Sequence, residues 1–211
     1  MLELKGLKKV FGGIIVLNDV DISFKRGNKI CLSGGNGTGK STLLNIATGF
    51  LTAEEGAVIL DGDDITHFEA WKLSRLGVKR TFQKVRFNEA LILKEQLYTS
   101  DEIIKRNLGM LKDAGLIDYL YAFPNEVPLP ILRKVEVIRA LLECPRYLFL
   151  DEPSAGMAAT DLYNFGEFLK EYIDPNICLV VVEHRLELMK KLDANICELQ
   201  DGKLVNGNII V

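Results

Sequence analysis

No apolar run in this chain approaches the ~20 residues that a bilayer-spanning helix requires, so the chain is not expected to cross a membrane as helices. A secretory signal is missing too, because the opening MLELKGLKKV alternates apolar and charged residues and has no apolar centre. Both absences place the expected site of action inside the cell. The sequence also lacks a basic excess: 26 Lys and Arg against 29 Asp and Glu leave a formal net charge of −3. That excludes the positive footprint with which nucleic-acid-binding proteins meet phosphates, and no nucleic-acid partner is expected. The four cysteines (Cys31, Cys144, Cys178 and Cys197) form no CxxC pair and have no zinc-ligand spacing. Three of them lie in short apolar runs of strand character and are expected as buried free thiols. Internal repeats and low-complexity tracts are likewise absent.

What is present is an ordinary globular composition, 48% hydrophobic and 26% charged. The 211 residues suit one α/β domain, or one domain with a small lobe attached. Strands are expected over Leu2 to Val10, Val20 to Phe24, Lys29 to Ser33 and Ala57 to Leu60, with turns at Lys25–Asn28 and at Asp61-Gly62. A helix should run from about Ser41 towards Thr48. From about Phe87 to Asn125 apolar residues recur at helical spacing (Ile103, Ile104, Leu108, Leu111, Leu116) without a convincing strand, which reads as a helical lobe. A further helix is expected over Leu132 to Leu142. Strands at Tyr147–Leu150 and Leu179–Val182 then alternate with helices at Leu162–Tyr172 and Leu186–Leu192. A hairpin across Asp201-Gly202 pairs Ile196–Leu199 with Leu204-Val205. Alternation of helices with almost wholly apolar strands implies a parallel sheet covered on both faces.

The run Gly34 to Ser41 matches G-x-x-x-x-G-K-[ST] between an expected strand and an expected helix. Glycines let the backbone curl so that successive N–H groups face phosphate oxygens, and the helix N-terminus adds its positive end. Asn36, Gly37, Thr38, Gly39, Lys40, Ser41 and Thr42 are therefore candidate ATP contacts, with Lys40 reaching the β- and γ-phosphates and Ser41 offering its hydroxyl to Mg²⁺. Farther on, the apolar strand Tyr147–Leu150 ends in Asp151-Glu152-Pro153. In P-loop enzymes an acid at such a strand end holds the metal, directly or through water. Glu152 is placed to polarise the attacking water as general base. His184 follows Val180-Val181-Val182-Glu183 at another strand end and is expected at the γ-phosphate, because open α/β sheets bind ligands at that edge. Gln83, in Arg80-Thr81-Phe82-Gln83, is a candidate to ligate Mg²⁺ or to hold the water.

In their order, GGNGTGKST, RTFQ, LFLDEP and VVVEH resemble the ATP-binding cassette (ABC) family over essentially the whole chain, and look most like the ATPase subunits of branched-chain amino acid importers. The resemblance implies a P-loop NTPase of the ABC ATPase type. Its α/β fold would have a mostly parallel core sheet, an N-terminal antiparallel β part and a small helical subdomain. One domain over 1–211 is expected, with 1–86 and 145–211 as catalytic core and 87–144 as helical subdomain. The resemblance further implies that Phe11 stacks on adenine, with Val16 beside the ribose. It implies ATP and Mg²⁺ as cofactors, transmembrane permease subunits and a second ABC ATPase subunit as partners, and a peripheral position on the inner face of the cell membrane.

One motif departs from the family pattern. Where a Leu-Ser-Gly-Gly-Gln signature should precede the Leu132–Leu142 helix, an ungapped match puts Val127-Pro128-Leu129-Pro130-Ile131. The serine hydroxyl and the backbone N–H that normally reach a partner's γ-phosphate are lost, since proline has no N–H. Ala158 likewise stands where the family usually carries an acid or amide that reaches across the dimer. Groups acting on the chain's own nucleotide are present, and those acting on a partner's are missing. A heterodimer with one degenerate site is expected. The alternatives are a slow homodimer, in which Pro128 and Pro130 merely start the helix, and a non-transport or regulatory ABC protein that binds ATP with little hydrolysis. The helical lobe is shorter than in the amino acid importers. The segment Phe87 to Leu93 is expected either to help form a groove for a transmembrane partner's helix or to be buried under the lobe.

Overall fold

The computed structural model describes residues 1–206. The chain begins with a long antiparallel pair, β1 (Leu2–Phe11) and β2 (Ile14–Phe24), joined at Gly12-Gly13. Both glycines have positive φ, the geometry a tight hairpin between right-twisted strands requires. β2 starts six residues earlier than the Val20 expected from the sequence. Asp19 (φ +58°) sits at an irregularity inside the strand pair, where the register shifts between Leu7 and Lys9.

β3 (Lys29–Ser33) leads through the glycine loop into α1 (Lys40–Ala47). β4 (Glu55–Leu60) then returns beside β1, and β5 (Asp63–Asp64) completes a four-stranded antiparallel sheet in the order β2-β1-β4-β5. The short helix α2 (Ala70–Arg75) and the three-residue strand β6 (Val78–Arg80) were not expected from the sequence, because neither is long enough to show a period.

The lobe holds α3 (Leu93–Gln96), α4 (Asp101–Arg106) and α5 (Leu108–Asp113), followed by the longer α6 (Leu129–Leu142). α6 begins three residues before the expected Leu132. Pro128 is its N-cap and Pro130 lies in its first turn, where a missing N–H breaks no helical bond. After the lobe come β7 (Tyr147–Asp151), α7 (Ala159–Tyr172), β8 (Cys178–Val182), α8 (Leu186–Lys191) and the hairpin β9 (Asn195–Gln200)–β10 (Lys203–Asn206).

The second sheet runs β10-β9-β3-β8-β7-β6 and is parallel except for the terminal hairpin. Every residue of β7 and β8 is buried, as the continuous apolar runs demand of strands covered on both faces. Side chains alternate between two cores. Tyr147, Phe149, Cys178, Val180 and Val182 pack towards α1 and the antiparallel sheet. Leu148, Leu150, Leu179 and Val181 pack towards α6, α7 and α8. Phe24 meets Phe149 edge-on with ring centroids 5.3 Å apart, which joins the two sheets.

This register decides where the chemistry sits. Leu32 pairs with Val182, and Val182 pairs with Asp151, so β3, β8 and β7 end together. Glu152 N–H continues the ladder to the Val182 carbonyl at 2.9 Å. The residues that follow the three strands (the glycine loop, Glu152 and His184) emerge from one edge of the parallel sheet. No helix among the described residues is long and apolar enough to cross a membrane.

Candidate functional site

The glycine loop is shaped by close backbone approach. At Gly34 (φ +140°) a Cβ would lie 2.3 Å from the Leu199 carbonyl oxygen, and at Gly39 (φ +103°) 2.8 Å from the Val16 carbonyl oxygen. Neither position admits a side chain, and the loop is thereby held against β9 on one side and β2 on the other. Lys40 is buried and curls back, its Nζ donating to the carbonyls of Gly34 (2.8 Å) and Gly35 (2.7 Å). Burial pushes its ammonium below the ordinary lysine value, while Glu152 and then Asp151 pull the other way. Thr38 donates its hydroxyl to Gly35 at 3.0 Å. Asn36, Gly37 and Ser41 are exposed and Thr42 is half-buried.

Asp151 is 5% exposed. Its Oδ2 accepts from Arg80 Nη2 at 3.1 Å, while its Oδ1 is buried with no hydrogen-bond partner. Burial raises the carboxyl above the usual aspartate range; Arg80 opposes that shift and Glu152 adds to it. A carboxylate with one oxygen held and the other unsatisfied beside a phosphate loop fits a hard divalent cation, which takes oxygen ligands. The exposed Ser41 hydroxyl, in the first turn of α1, is a second donor of suitable chemistry.

Glu152 has φ +45°, a conformation that is costly for a residue with a Cβ. Its half-buried carboxylate lies between two of the expected site residues. Gln83 Nε2 donates to Oε2 at 2.7 Å, and His184 Nε2 lies 3.7 Å from Oε1. Gln83 comes from the loop after β6 and His184 from the loop after β8, so the fold brings three separate motifs onto one carboxylate. The structure sets the Gln83 amide against the general-base candidate rather than against Asp151.

Val16 lies against Gly39 through its carbonyl and a methyl group. Phe11, 46% exposed at the end of β1, has Lys9 Nζ 5.2 Å from its ring centre and stands free on the hairpin that carries Val16.

Sequence reasoning missed two arginines that support these residues. Arg80 joins Asp151 to α1. Arg133, on α6, is buried and donates to the Phe82 carbonyl at 2.9 Å and to the Gln83 carbonyl, while pairing with Glu136 at 3.3 Å. The signal for the second was legible, since Arg133 and Glu136 stand at i,i+3 among Leu132, Val135 and Ile138 on the apolar face of α6. Arg80 gave no such signal.

The segment Ser154–Met157 packs against the start of α6, because a Cβ on Gly156 would lie 3.0 Å from Leu129 Cδ2. Arg185 Nη1 holds it by donating to the Met157 carbonyl at 2.7 Å. Ala158, the N-cap of α7, gives no side-chain cap. A cleft of about 390 Å³ opens between α2, β6 and α6, walled by Phe50, Trp71, Arg80, Phe82, Arg86 and Arg139. Residues 87–93 do not line it. Leu93 is fully buried and Phe87 packs against the lobe's core, while Asn88, Glu89 and Ala90 are exposed.

A family model described as ABC transporter matches residues 17–155. The probable branched-chain amino acid transport ATP-binding protein LivG of Archaeoglobus fulgidus is 29% identical, over 97% of this chain and 88% of that protein. The high-affinity branched-chain amino acid transport ATP-binding protein BraF of Pseudomonas aeruginosa is 28% identical, over 96% and 89%. Among solved structures, a nucleotide-free ATP-binding cassette from an ABC transporter superposes with a TM-score of 0.87 at 27% identity, covering 98% of this chain and 90% of that one. A dimeric cassette in a post-hydrolysis state with ADP and Pi superposes with a TM-score of 0.84 at 25% identity, covering 98% and 97%.

Proposed function

This chain belongs to the ABC transporter family, and from that premise we propose that it hydrolyses Mg-ATP at the shared strand edge within a dimer whose other cassette supplies an intact signature motif. On this reading residues 1–86 and 145–211 form the catalytic core and 87–144 the helical subdomain. Adenine stacks on Phe11 with the ribose near Val16, and the phosphates lie in the loop from Asn36 to Thr42. Lys40 exchanges the carbonyls of Gly34 and Gly35 for β- and γ-phosphate oxygens. Asp151 and Ser41 hold the divalent cation, which offsets phosphate charge when bound. Glu152 takes a proton from the attacking water as the new P–O bond forms. The bond between the γ-phosphorus and its bridging oxygen breaks, leaving ADP and phosphate. Gln83 holds one oxygen of Glu152, and His184, beside the other, contacts the γ-phosphate.

One contrast carries the proposal. Gln83 and His184, assigned to the chain's own nucleotide, converge on Glu152, whereas the start of α6 offers a proline N-cap and a second proline in its first turn. A partner's γ-phosphate docked there would miss a hydroxyl and an N–H. Two charge-assisted hydrogen bonds at about 1.5–3 kcal/mol each amount to roughly two to four decades in dimer affinity. The relatives named for branched-chain amino acid transport support a setting in which this chain works with permease subunits in the membrane, at its cytosolic face. The cleft walled by Phe50, Trp71 and Phe82 is the surface for a permease helix.

Light scattering on purified Glu152→Gln, with and without Mg-ATP, tests the heterodimer. This substitution slows hydrolysis and so preserves an ATP-closed dimer wherever one forms. A monomer that binds ATP is the expected result, and an ATP-dependent homodimer would overturn it.

A further inference from the structure

Arg80, the first residue of the RTFQ run, ties together several groups behind the site. Its side chain is 5% exposed, although it stands at the end of the edge strand β6. Nη2 donates to Asp151 Oδ2 at 3.1 Å, and Nη1 donates to Asn45 Oδ1 at 2.6 Å and to Thr48 Oγ1 at 3.2 Å. Nε donates to the Thr81 carbonyl at 3.3 Å. The guanidinium lies 4.5 Å from the Phe82 ring centre and 5.3 Å from that of Phe50, and these two rings meet edge-on at 5.3 Å. Asn45 and Thr48 flank the C-terminal end of α1, the helix that opens with Lys40 and Ser41. One planar fork therefore ties the strand that ends in Asp151 to the helix that starts at the phosphate loop.

We propose that Arg80 is a positioning residue for the cation-binding carboxylate: by occupying Asp151 Oδ2 it leaves Oδ1, buried and unpartnered, as the oxygen presented to the metal. A guanidinium suits this role and an ammonium does not, because only a rigid fork reaches both Asp151 and the α1 side chains from one position. The aromatic rings restrain its plane. Outer-shell partners that orient a metal-binding side chain typically contribute 10- to 100-fold to metal affinity. The inference rests on the reading that Asp151 holds the divalent cation.

The test uses Mn²⁺ as the probe. The affinity of the full chain for a fluorescent ATP analogue is measured with saturating Mn²⁺ and again in EDTA, and the ratio of the two reports the metal's contribution. Wild type, Asp151→Asn, Arg80→Lys and Arg80→Met are compared, with thermal melts alongside. The expected result is a ratio that drops about tenfold in both Arg80 variants and in Asp151→Asn, with affinity in EDTA within about twofold of wild type. A wild-type ratio near one, or a ratio that Asp151→Asn leaves unmoved, removes the metal reading and this inference with it. A ratio sensitive to Asp151→Asn and insensitive to both Arg80 variants overturns the role of Arg80 alone. A higher ratio in Arg80→Met would also overturn it, by showing that the guanidinium repels the cation. Loss of affinity in EDTA as well as in Mn²⁺ would assign Arg80 a purely structural part. Should both Arg80 variants fail to fold, Asn45→Ala releases one anchor of the same fork, and the ratio is expected to drop about threefold, less than loss of the whole fork; no change there overturns the proposal.

Discussion

Two ends of this molecule handle polar groups in opposite ways. At the edge where β3, β7 and β8 finish together, Gln83 and His184 flank Glu152, the charges of Glu152 and Asp151 act on the buried Lys40, and Asp151 Oδ1 is buried without a partner. Such an oxygen costs stability in the free protein and gains a partner only when a ligand arrives. At the start of α6 the same chain has removed its donors. Pro128 and Pro130 begin a well-formed helix there, without the hydroxyl at 128 and the backbone N–H at 130 that the signature pattern would supply. On the proposed reading, stability and function pull apart in the first region and agree in the second: one surface would be built around a ligand, and the other would serve only to start a helix.

The contrast breaks first at Glu152. Replacing it with Gln keeps the shape and removes the base; phosphate release, from the chain alone or with its partner cassette, is expected to drop by about 10²- to 10⁴-fold, while ATP binding persists. Next comes a repair. Pro128→Ser with Pro130→Gly, placed in Glu152→Gln, should restore the missing donors and strengthen an ATP-bound homodimer by roughly two to four decades, read by sedimentation against Glu152→Gln alone. No gain in association would show that the prolines are not what separates the two faces.

A third change reaches the seam between the regions. Arg133 on α6 holds the carbonyls of Phe82 and Gln83 and pairs with Glu136, both side chains being buried. Arg133→Met leaves Glu136 uncompensated and should cost about 3–5 kcal/mol in urea unfolding. The smallest effect concerns pH. Burial raises the Glu136 carboxyl above its ordinary value, with Arg133 opposing. A raised folded value means that the native state binds the proton more tightly than the unfolded chain. This group's contribution to stability is therefore fully present below the ordinary glutamate range and is lost as pH rises through the raised value. Glu136→Gln should flatten that decline in melts taken across the same range.

Much of the first region was legible in the sequence. The loop from Gly34 to Ser41, the acids after Leu150 and the His after Glu183 each follow an apolar run, and their order alone places them at strand ends. The N-terminal hairpin was legible only in part: a strand was expected from Val20, and β2 begins at Ile14, its pairing with β1 absorbing an irregularity at Asp19. β6 was invisible: three residues have no period, and only pairing with β7 makes them a strand. For Phe87 to Leu93 a docking groove and burial under the lobe were both open. Leu93 is buried in the lobe's core and Phe87 packs against it, while Asn88, Glu89 and Ala90 stay exposed, and only the packing of the lobe decides which side chains turn in.

By itself the sequence determined the chemical inventory and the local geometry that carries it. A glycine loop between strand and helix, an acid pair at a strand end and prolines at a helix start are set by neighbours a few residues apart. Only the tertiary structure decided which of these groups meet. Gln83, Glu152 and His184 converge because β6, β7 and β8 are adjacent and in register. Arg80 reaches Asp151 because β6 is the edge strand beside β7. Such meetings depend on strand order, set by long-range packing across two cores, and no local pattern encodes it.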